Sequence, residues 1–306
     1  MQGSDALELR SQCANAVTRF FPEREQHPVI AALWLALSTR KPEMEGGIDD
    51  SNSNVAVDPD AAAPTSLEAS RMAKSVHYAI GDIHGRLDLM IRLIAKICRY
   101  HLDNHTDRLP NLVFVGDYVD RGPDSAGVLE RIRRGFRGFN MTCLKGNHEA
   151  MMTMCMATDE REAWLLWISN GGADTLKSFG YDKKEGRNPD AVRECVGDET
   201  VYWLNALPLY HQVDDVVFVH AGVLPGIPLA QQDERDLLWI RKPFLNSEQD
   251  FGFGVVHGHT PVKRPEVRSN RINIDTGAVY DGALTALVVD RPWAELRDDP
   301  VFLQVK

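Results

Sequence analysis

The sequence predicts an α/β protein: a central two-sheet β-sandwich flanked by helices, with a helical insertion. Three observations predict it. From Ser75 onward, short apolar runs that read as strands alternate with longer runs whose apolar residues recur at helical spacing. Residues 149–206 then read as a helical insertion. The remainder reads mainly as strands, and alternation followed by strands suggests two sheets packed face to face with helices outside.

Taken in order, SVHYAI (75–80) is the first strand, followed by a helix with Leu87, Met90, Ile91, Ile94 and Ile97 at helical spacing. NLVFV (111–115) is the second strand, and a helix starts after Pro123 with Asp124 or Ser125 as its cap. NMTCL (140–144) is the third. After the insertion come PLYHQV, VVFVH, FGVVHG, RINID and ALTALVVD (283–290). The domain boundary falls at 74/75. Residues 1–40 read as helix, and residues 41–70 hold seven acids, one lysine and no aromatic, a composition too polar to order itself, so 1–74 is read as a helical extension plus a flexible acidic linker. The compact domain is then 75–306.

Composition excludes some functions. A net charge of -10 argues against nucleic acid as the main partner, and the densest basic run, RIRRGFR (131–137), reads as the solvated end of a surface helix. VIAALWLAL (29–37) is nine residues long, short of the roughly 20 that span a bilayer, so no stable membrane insertion is expected. Five cysteines without CxxC spacing, and no basic-then-apolar leader, fit reduced thiols in the cytoplasm.

The chemistry lies at the strand ends. Gly81-Asp82-Ile83-His84 follows the first strand, and Gly116-Asp117-Tyr118-Val119-Asp120-Arg121-Gly122 the second. Gly146-Asn147-His148-Glu149 follows the third, and His220-Ala221-Gly222 and His257-Gly258-His259 follow two of the later ones. Ligands bind at the carboxyl ends of strands in open α/β sheets, so these loops should converge. Buried acids need partners. A mixed set of Asp and Asn oxygens and His nitrogens suits divalent Mn, Fe or Zn. One bridging carboxylate can hold two such ions about 3.5–4 Å apart, an arrangement suited to in-line displacement at phosphorus.

GDIHGR, GDYVDRGPDS, LKGNHE, FVHAG and HGHTP resemble the five signature blocks of the calcineurin-like metallophosphoesterases, and more narrowly the bacterial and phage form of the PPP-type serine/threonine phosphatases. The resemblance runs from about Ser75 to Asp290 and implies the metallophosphoesterase fold. It implies that Asp82 and His84 bind a first metal, that Asp117 bridges two, and that Asn147, His220 and His259 complete the site. Two divalent ions, Mn2+ first and Fe or Zn as alternatives, would generate a hydroxide that attacks phosphorus. Arg121, and Arg241 in LLWIR (237–241), would grip phosphate oxygens together with Asn147. His148, held by Asp120, would protonate the leaving group.

Some features depart from the wider pattern. Pro261 stands where some superfamily members carry a further His, Lys145 where eukaryotic members carry Arg, and IDTGAVY (274–280) where they carry their C-terminal signature. His257 is either a support for the ligands or a strand-end core histidine. His27, His77, His101, His105 and His211 are read as structural, Trp164, Trp167 and Trp203 as core. WISNGGADTLKSFG (167–180) is either a cleft lining or a packing element.

Three functions compete. A phosphatase acting on phosphoserine or phosphothreonine in proteins is favoured by Glu149, where related bacterial tetraphosphatases tend to carry Asp. Hydrolysis of bis(5'-nucleosyl)-tetraphosphates or another small phosphoester keeps the chemistry and changes the substrate. An inactive scaffold is disfavoured because all six ligand positions are filled.

Overall fold

The computed structural model describes residues 74–306 apart from 159, 182, 183 and 185. The expected helical extension and acidic linker, with Cys13 and His27, lie outside the described residues.

Two five-stranded sheets form the centre. The first has the order β10-β9-β1-β2-β3, with β1 (Ser75–Ile80), β2 (Leu109–Phe114) and β3 (Asn140–Cys143) parallel. β9 (Leu284–Val289) runs antiparallel to β1, and β10 (Val301–Val305) antiparallel to β9. The second has the order β4-β5-β6-β8-β7. Its inner strands β5 (Val216–Val219), β6 (Gly254–His257) and β8 (Arg271–Asn273) are parallel, and β4 (Tyr210–Val213) and β7 (Glu266–Val267) are antiparallel edges.

Side chains alternate across the strands and sort into layers. Ala79, Val113, Phe218, Val256 and Leu287 pack between the sheets. Val76, Tyr78, Ile80 and Phe114 face a helical layer that includes α1 (Leu87–Asn104) and α2 (Ser125–Arg134). Val219 and Val255, on the other side of the second sheet, pack with Leu237 of α8 (Glu234–Trp239) and Phe244 of α9 (Lys242–Leu245). Both faces of each sheet are covered, which explains why VVFV is an unbroken apolar run and LTALVV is interrupted only by the buried Thr285.

The insertion comprises α3 (Asn147–Ala157), α4 (Arg161–Trp167), a π-turn (Ile168–Gly172), α5 (Ala173–Ser178), α6 (Pro189–Val196) and α7 (Asp198–Asn205). Asp124 is the α2 cap and accepts from Gly127 N at 2.8 Å. The basic run ends α2 as expected, with Arg133 paired to Glu199 and Arg134 to Glu130.

Some boundaries differ from expectation. β2 begins at Leu109 and includes Pro110, which the sequence reading left out. Pairing with β3 starts only at Asn111, so the missing proline N–H costs no bond on that side. On α1 the buried stripe is Leu89, Met90, Leu93, Ile94, Ile97 and His101, while Leu87 and Ile91 are half-buried. The helix α10 (Trp293–Asp298) and strand β10 were not anticipated. No helix among the described residues is long and apolar enough to cross a membrane.

His77, His101 and His211 are structural, as read. His101 Nδ1 meets Tyr78 Oη at 2.9 Å, and His77 on β1 is buried near Phe218. Burial, with His211 adding to it, pushes the His77 pKa down to about 4. The unfolded chain therefore binds an extra proton between about pH 4 and 6.5, and stability contributed by neutral His77 is present above that window and lost as pH falls through it. His77→Leu should flatten the rise in urea-unfolding free energy between pH 5 and 7 by up to about one proton's slope. An unchanged slope would show that His77 does not couple folding to pH.

Candidate metal centre and active site

The carboxyl ends of β1, β2, β3, β5 and β6 meet at one place, and all ten candidate residues are there. Asp117 lies at the middle, with His220 Nε2 3.3 Å from its Oδ1 and His84 Nε2 3.5 Å from its Oδ2. Asn147 Oδ1 sits 2.8 Å from both His220 Nε2 and His259 Nδ1. Asp82 Oδ2 accepts from His259 N at 3.0 Å. His148 donates from Nδ1 to Asp120 Oδ2 at 2.6 Å, and its Nε2 lies 3.9 Å from Asp117 Oδ2. At the edge, Arg121 Nη1 donates to His84 Nε2 at 2.8 Å and Arg241 Nε to His259 Nε2 at 3.2 Å.

Backbone strain is concentrated at the same place. Seven non-glycine residues among those described have positive φ, and five are site residues: His84, Asp117, Asp120, Arg121 and His259. Such strain persists where the surroundings over-determine it, as in active sites. Glu149 is part of that determination. Its carboxylate accepts from Gly146, Asp117, Tyr118 and Val119 N–H at 2.8–3.3 Å, clamping the loops after β2 and β3 together.

The electrostatics demand a cation. Burial raises the Asp82 pKa well above the carboxylate range, with Asp275 and Asp117 adding to it. Burial raises Asp275 to about 6 and Glu149 to about 7, in both cases aided by Asp117. Burial lowers the pKa of His84, His220 and His259, leaving neutral rings. For Asp117 burial acts upward, but the four surrounding histidines outweigh it and lower its pKa. His148 goes the other way: burial alone would discharge it, but Asp117 and the Asp120 hydrogen bond raise its pKa.

These residues fit divalent metal. Asp82 Oδ1 is buried without a partner, and Gly258 makes room for it, since a Cβ there would stand 1.9 Å away. His84 and His220 each place Nδ1 on a backbone carbonyl, Val119 O at 2.8 Å and Val115 O at 3.0 Å. That fixes the tautomer with the Nε2 lone pair turned into the cluster, the usual arrangement of a metal-ligating histidine. Among the described residues, His84, Asp117 and His148 form one potential metal triad and Asp117, His220 and His259 another, each with ligand atoms within 4.8 Å of one another. Asp117 is common to both.

Sequence reading missed several contributors. Trp167, read as core, is buried but donates its indole N–H to both Asp120 oxygens at 3.0 and 3.1 Å. Thr175 Oγ1 donates to Asp120 Oδ1 at 2.7 Å, and Gly171 O accepts from Arg121 N at 3.2 Å. WISNGGADTLKSFG is thus more than a packing element: it supports Asp120 and Arg121. Asp275 sits buried after β8, where IDTGAVY had been read only as a mark of the bacterial form. His257 is a core histidine, edge-on to Phe244 at 5.0 Å.

The calcineurin-like phosphoesterase family model matches residues 78–286. The serine/threonine-protein phosphatase 1 of Salmonella typhimurium is 31% identical over 214 residues, covering 68% of this chain and 89% of that protein. The asymmetrical bis(5'-nucleosyl)-tetraphosphatase PrpE of Halalkalibacterium halodurans is 30% identical over 230 residues, covering 68% and 87%. A solved structure described as a candidate diadenosine tetraphosphatase aligns with a TM-score of 0.51 at 19% identity, covering 76% of this chain and 95% of that one. A protein serine/threonine phosphatase from Saccharomyces cerevisiae aligns with a TM-score of 0.50 at 14% identity, covering 76% and 80%. The chain belongs to the calcineurin-like phosphoesterase family. It is a metal-dependent phosphoester hydrolase.

Gly171 has φ 105° and lies against Arg121, where a Cβ would stand 2.6 Å from Cγ and 2.7 Å from N. Gly180 has φ 78° and open space around it. Gly171→Ala should therefore cost more than Gly180→Ala, which carries only a backbone penalty of about 1–2 kcal/mol. Urea denaturation checks this, and equal losses would contradict the close packing of the π-turn on Arg121.

Proposed function

We propose that the chain is a dinuclear-metal phosphomonoesterase that removes phosphate from phosphoserine and phosphothreonine in proteins. The observation that carries the chemistry is Asp117 shared between His84 on one side and His220 and His259 on the other. Asp82 and His84 would hold one ion, Asn147, His220 and His259 the other, and Asp117 both. Bound there, two divalent ions, Mn2+ first, would supply Lewis acidity that brings the pKa of water near neutral.

The chain's own residues do the rest. Arg121 and Arg241 stand beside His84 and His259 and present planar N–H forks to the non-bridging phosphate oxygens, with Asn147 nearby. Asp120 keeps a proton on His148 Nδ1 and so fixes the ring. His148 Nε2 faces the cluster, placed to give a proton to the leaving oxygen as the P–O bond breaks.

Two findings support the protein substrate. The Salmonella relative is named a serine/threonine-protein phosphatase. Tyr280, whose ring lies 5.7 Å from the Arg121 guanidinium, is 57% exposed, so that arginine borders open surface within reach of a phosphorylated segment. The second reading, a bis(5'-nucleosyl)-tetraphosphatase, has its own support. One relative carries that name, and a cavity of about 510 Å³ beside Arg241 contains the half-exposed Trp239, a surface on which a base could stack.

With Mn2+ present, kcat/KM should be higher for a phosphothreonine peptide than for diadenosine tetraphosphate. Higher efficiency on the dinucleotide would select the second reading, and no turnover of either with any divalent metal would remove both. Arg121→Lys should lower kcat/KM about 10-fold or more, because an ammonium cannot reproduce a two-pronged charged hydrogen bond.

A further inference from the structure

We infer that Trp167 and Thr175 are positioning residues for proton donation, and that the α4–π-turn–α5 segment is built to hold the Asp120 carboxylate fixed in plane beneath His148. This rests on the reading of His148 as proton donor.

Asp120 is fully buried, and buried carboxyl oxygens need hydrogen-bond donors around them. His148 Nδ1–H is on Oδ2 at 2.6 Å, and Thr175 Oγ–H is on Oδ1 at 2.7 Å. The Trp167 indole N–H straddles the pair at 3.0 and 3.1 Å. Three donors on two oxygens leave the carboxylate little freedom to turn. Its backbone is held as well, with Asp120 N donating to Thr175 Oγ1 at 2.8 Å and to Ser125 Oγ at 3.1 Å. Thr175 thus receives from the backbone of Asp120 and gives to its side chain.

The segment is shaped for this contact. A kink at Gly171, with φ 105°, separates α4 from α5, and that backbone conformation favours glycine. Gly172 lies under the Trp167 indole, where a Cβ would stand 2.7 Å from the ring. Gly171 O receives Arg121 N–H at 3.2 Å, so one segment supports both the proton-donor pair and a phosphate-facing arginine. An indole chosen only for packing would not need its N–H aimed at a carboxylate that already has two donors.

In the step affected, a water oxygen bonds to phosphorus and loses its proton to solvent. The P–O bond to the leaving group breaks, and the leaving oxygen keeps the electron pair. That oxygen takes the Nε2 proton of His148, and solvent later restores it. A poor leaving group such as phenolate needs this proton, whereas 2,4-dinitrophenolate departs without it. Loss of positioning should therefore depend on the leaving group, and loss of general stability should not.

The test compares Trp167→Phe, Thr175→Val and His148→Ala in the full chain with Mn2+, using phenyl phosphate and 2,4-dinitrophenyl phosphate. The inference expects Trp167→Phe and Thr175→Val to lose about 10-fold or more in kcat on phenyl phosphate but less than about 3-fold on the dinitrophenyl ester, a fraction of what His148→Ala loses. If His148→Ala shows this split and the two variants lose equally on both substrates, or lose nothing, the positioning role is overturned. If His148→Ala itself shows no split, the proton-donor reading fails and takes the inference with it. Thr175→Val is nearly isosteric, so it decides the matter even if Trp167→Phe does not fold.

Discussion

The structure depends on placing one carboxylate, Asp117, almost completely out of water with four histidines around it and two further acids close by, Asp82 and Asp275, whose pKa values burial raises and Asp117 raises further. Protein alone does not balance that arrangement. Asp82 keeps an oxygen without a partner, and His84 and His220 turn Nε2 lone pairs inward, the first toward Arg121 and the second against the Asn147 oxygen. Buried lone pairs crowded this closely are costly unless a cation joins them. The fold around it serves this requirement. Parallel strands of two sheets end together, glycine at 258 lets the backbone approach Asp82, and Glu149 ties the β2 and β3 loops through four backbone N–H groups.

Around the cluster, the helical insertion adds a layer of control. It packs on the first sheet through residues such as Met151, Met152 and Trp167, which is ordinary core building. The same segment reaches inward with one indole N–H, one threonine hydroxyl and one glycine carbonyl, all directed at the Asp120–Arg121 corner. Phosphoester chemistry and substrate choice are thereby separable. On the proposed function the cluster and its supports would act on any phosphate monoester brought to them, while Trp239, 6.2 Å from His259, and Tyr280, 5.7 Å from the Arg121 guanidinium, would be the side chains to discriminate what carries it. That two relatives of similar identity carry different substrate names accords with this division.

Much of the centre was legible because its signals are local. A strand followed by Gly-Asp or Gly-Asn-His needs only a few residues to recognise, and all five such ends converge as expected. What was not legible depends on distant partners. Pro110 joins β2 by pairing with Val76 of β1, one residue before β3 begins on the other side, and β10 is a strand only because β9 offers it an edge. Trp167 looked like a core residue because it is one, and nothing in its neighbours announces that its N–H finds Asp120 47 positions earlier. Asp275 sits in a stretch read as a lineage mark, and its significance appears only when β8 is placed beside β6 and its end reaches the other strand termini.

The central claim is that Asp117 and its neighbours form one site for two ions. Equilibrium dialysis of the metal-free chain against Mn2+, with metal counted per chain, tests it directly in wild type and in Asp117→Asn. The account predicts two ions per wild-type chain and the loss of both tight sites when the shared carboxylate is neutralised. Binding of no ion by the wild type, or two ions held as tightly by Asp117→Asn, would contradict it.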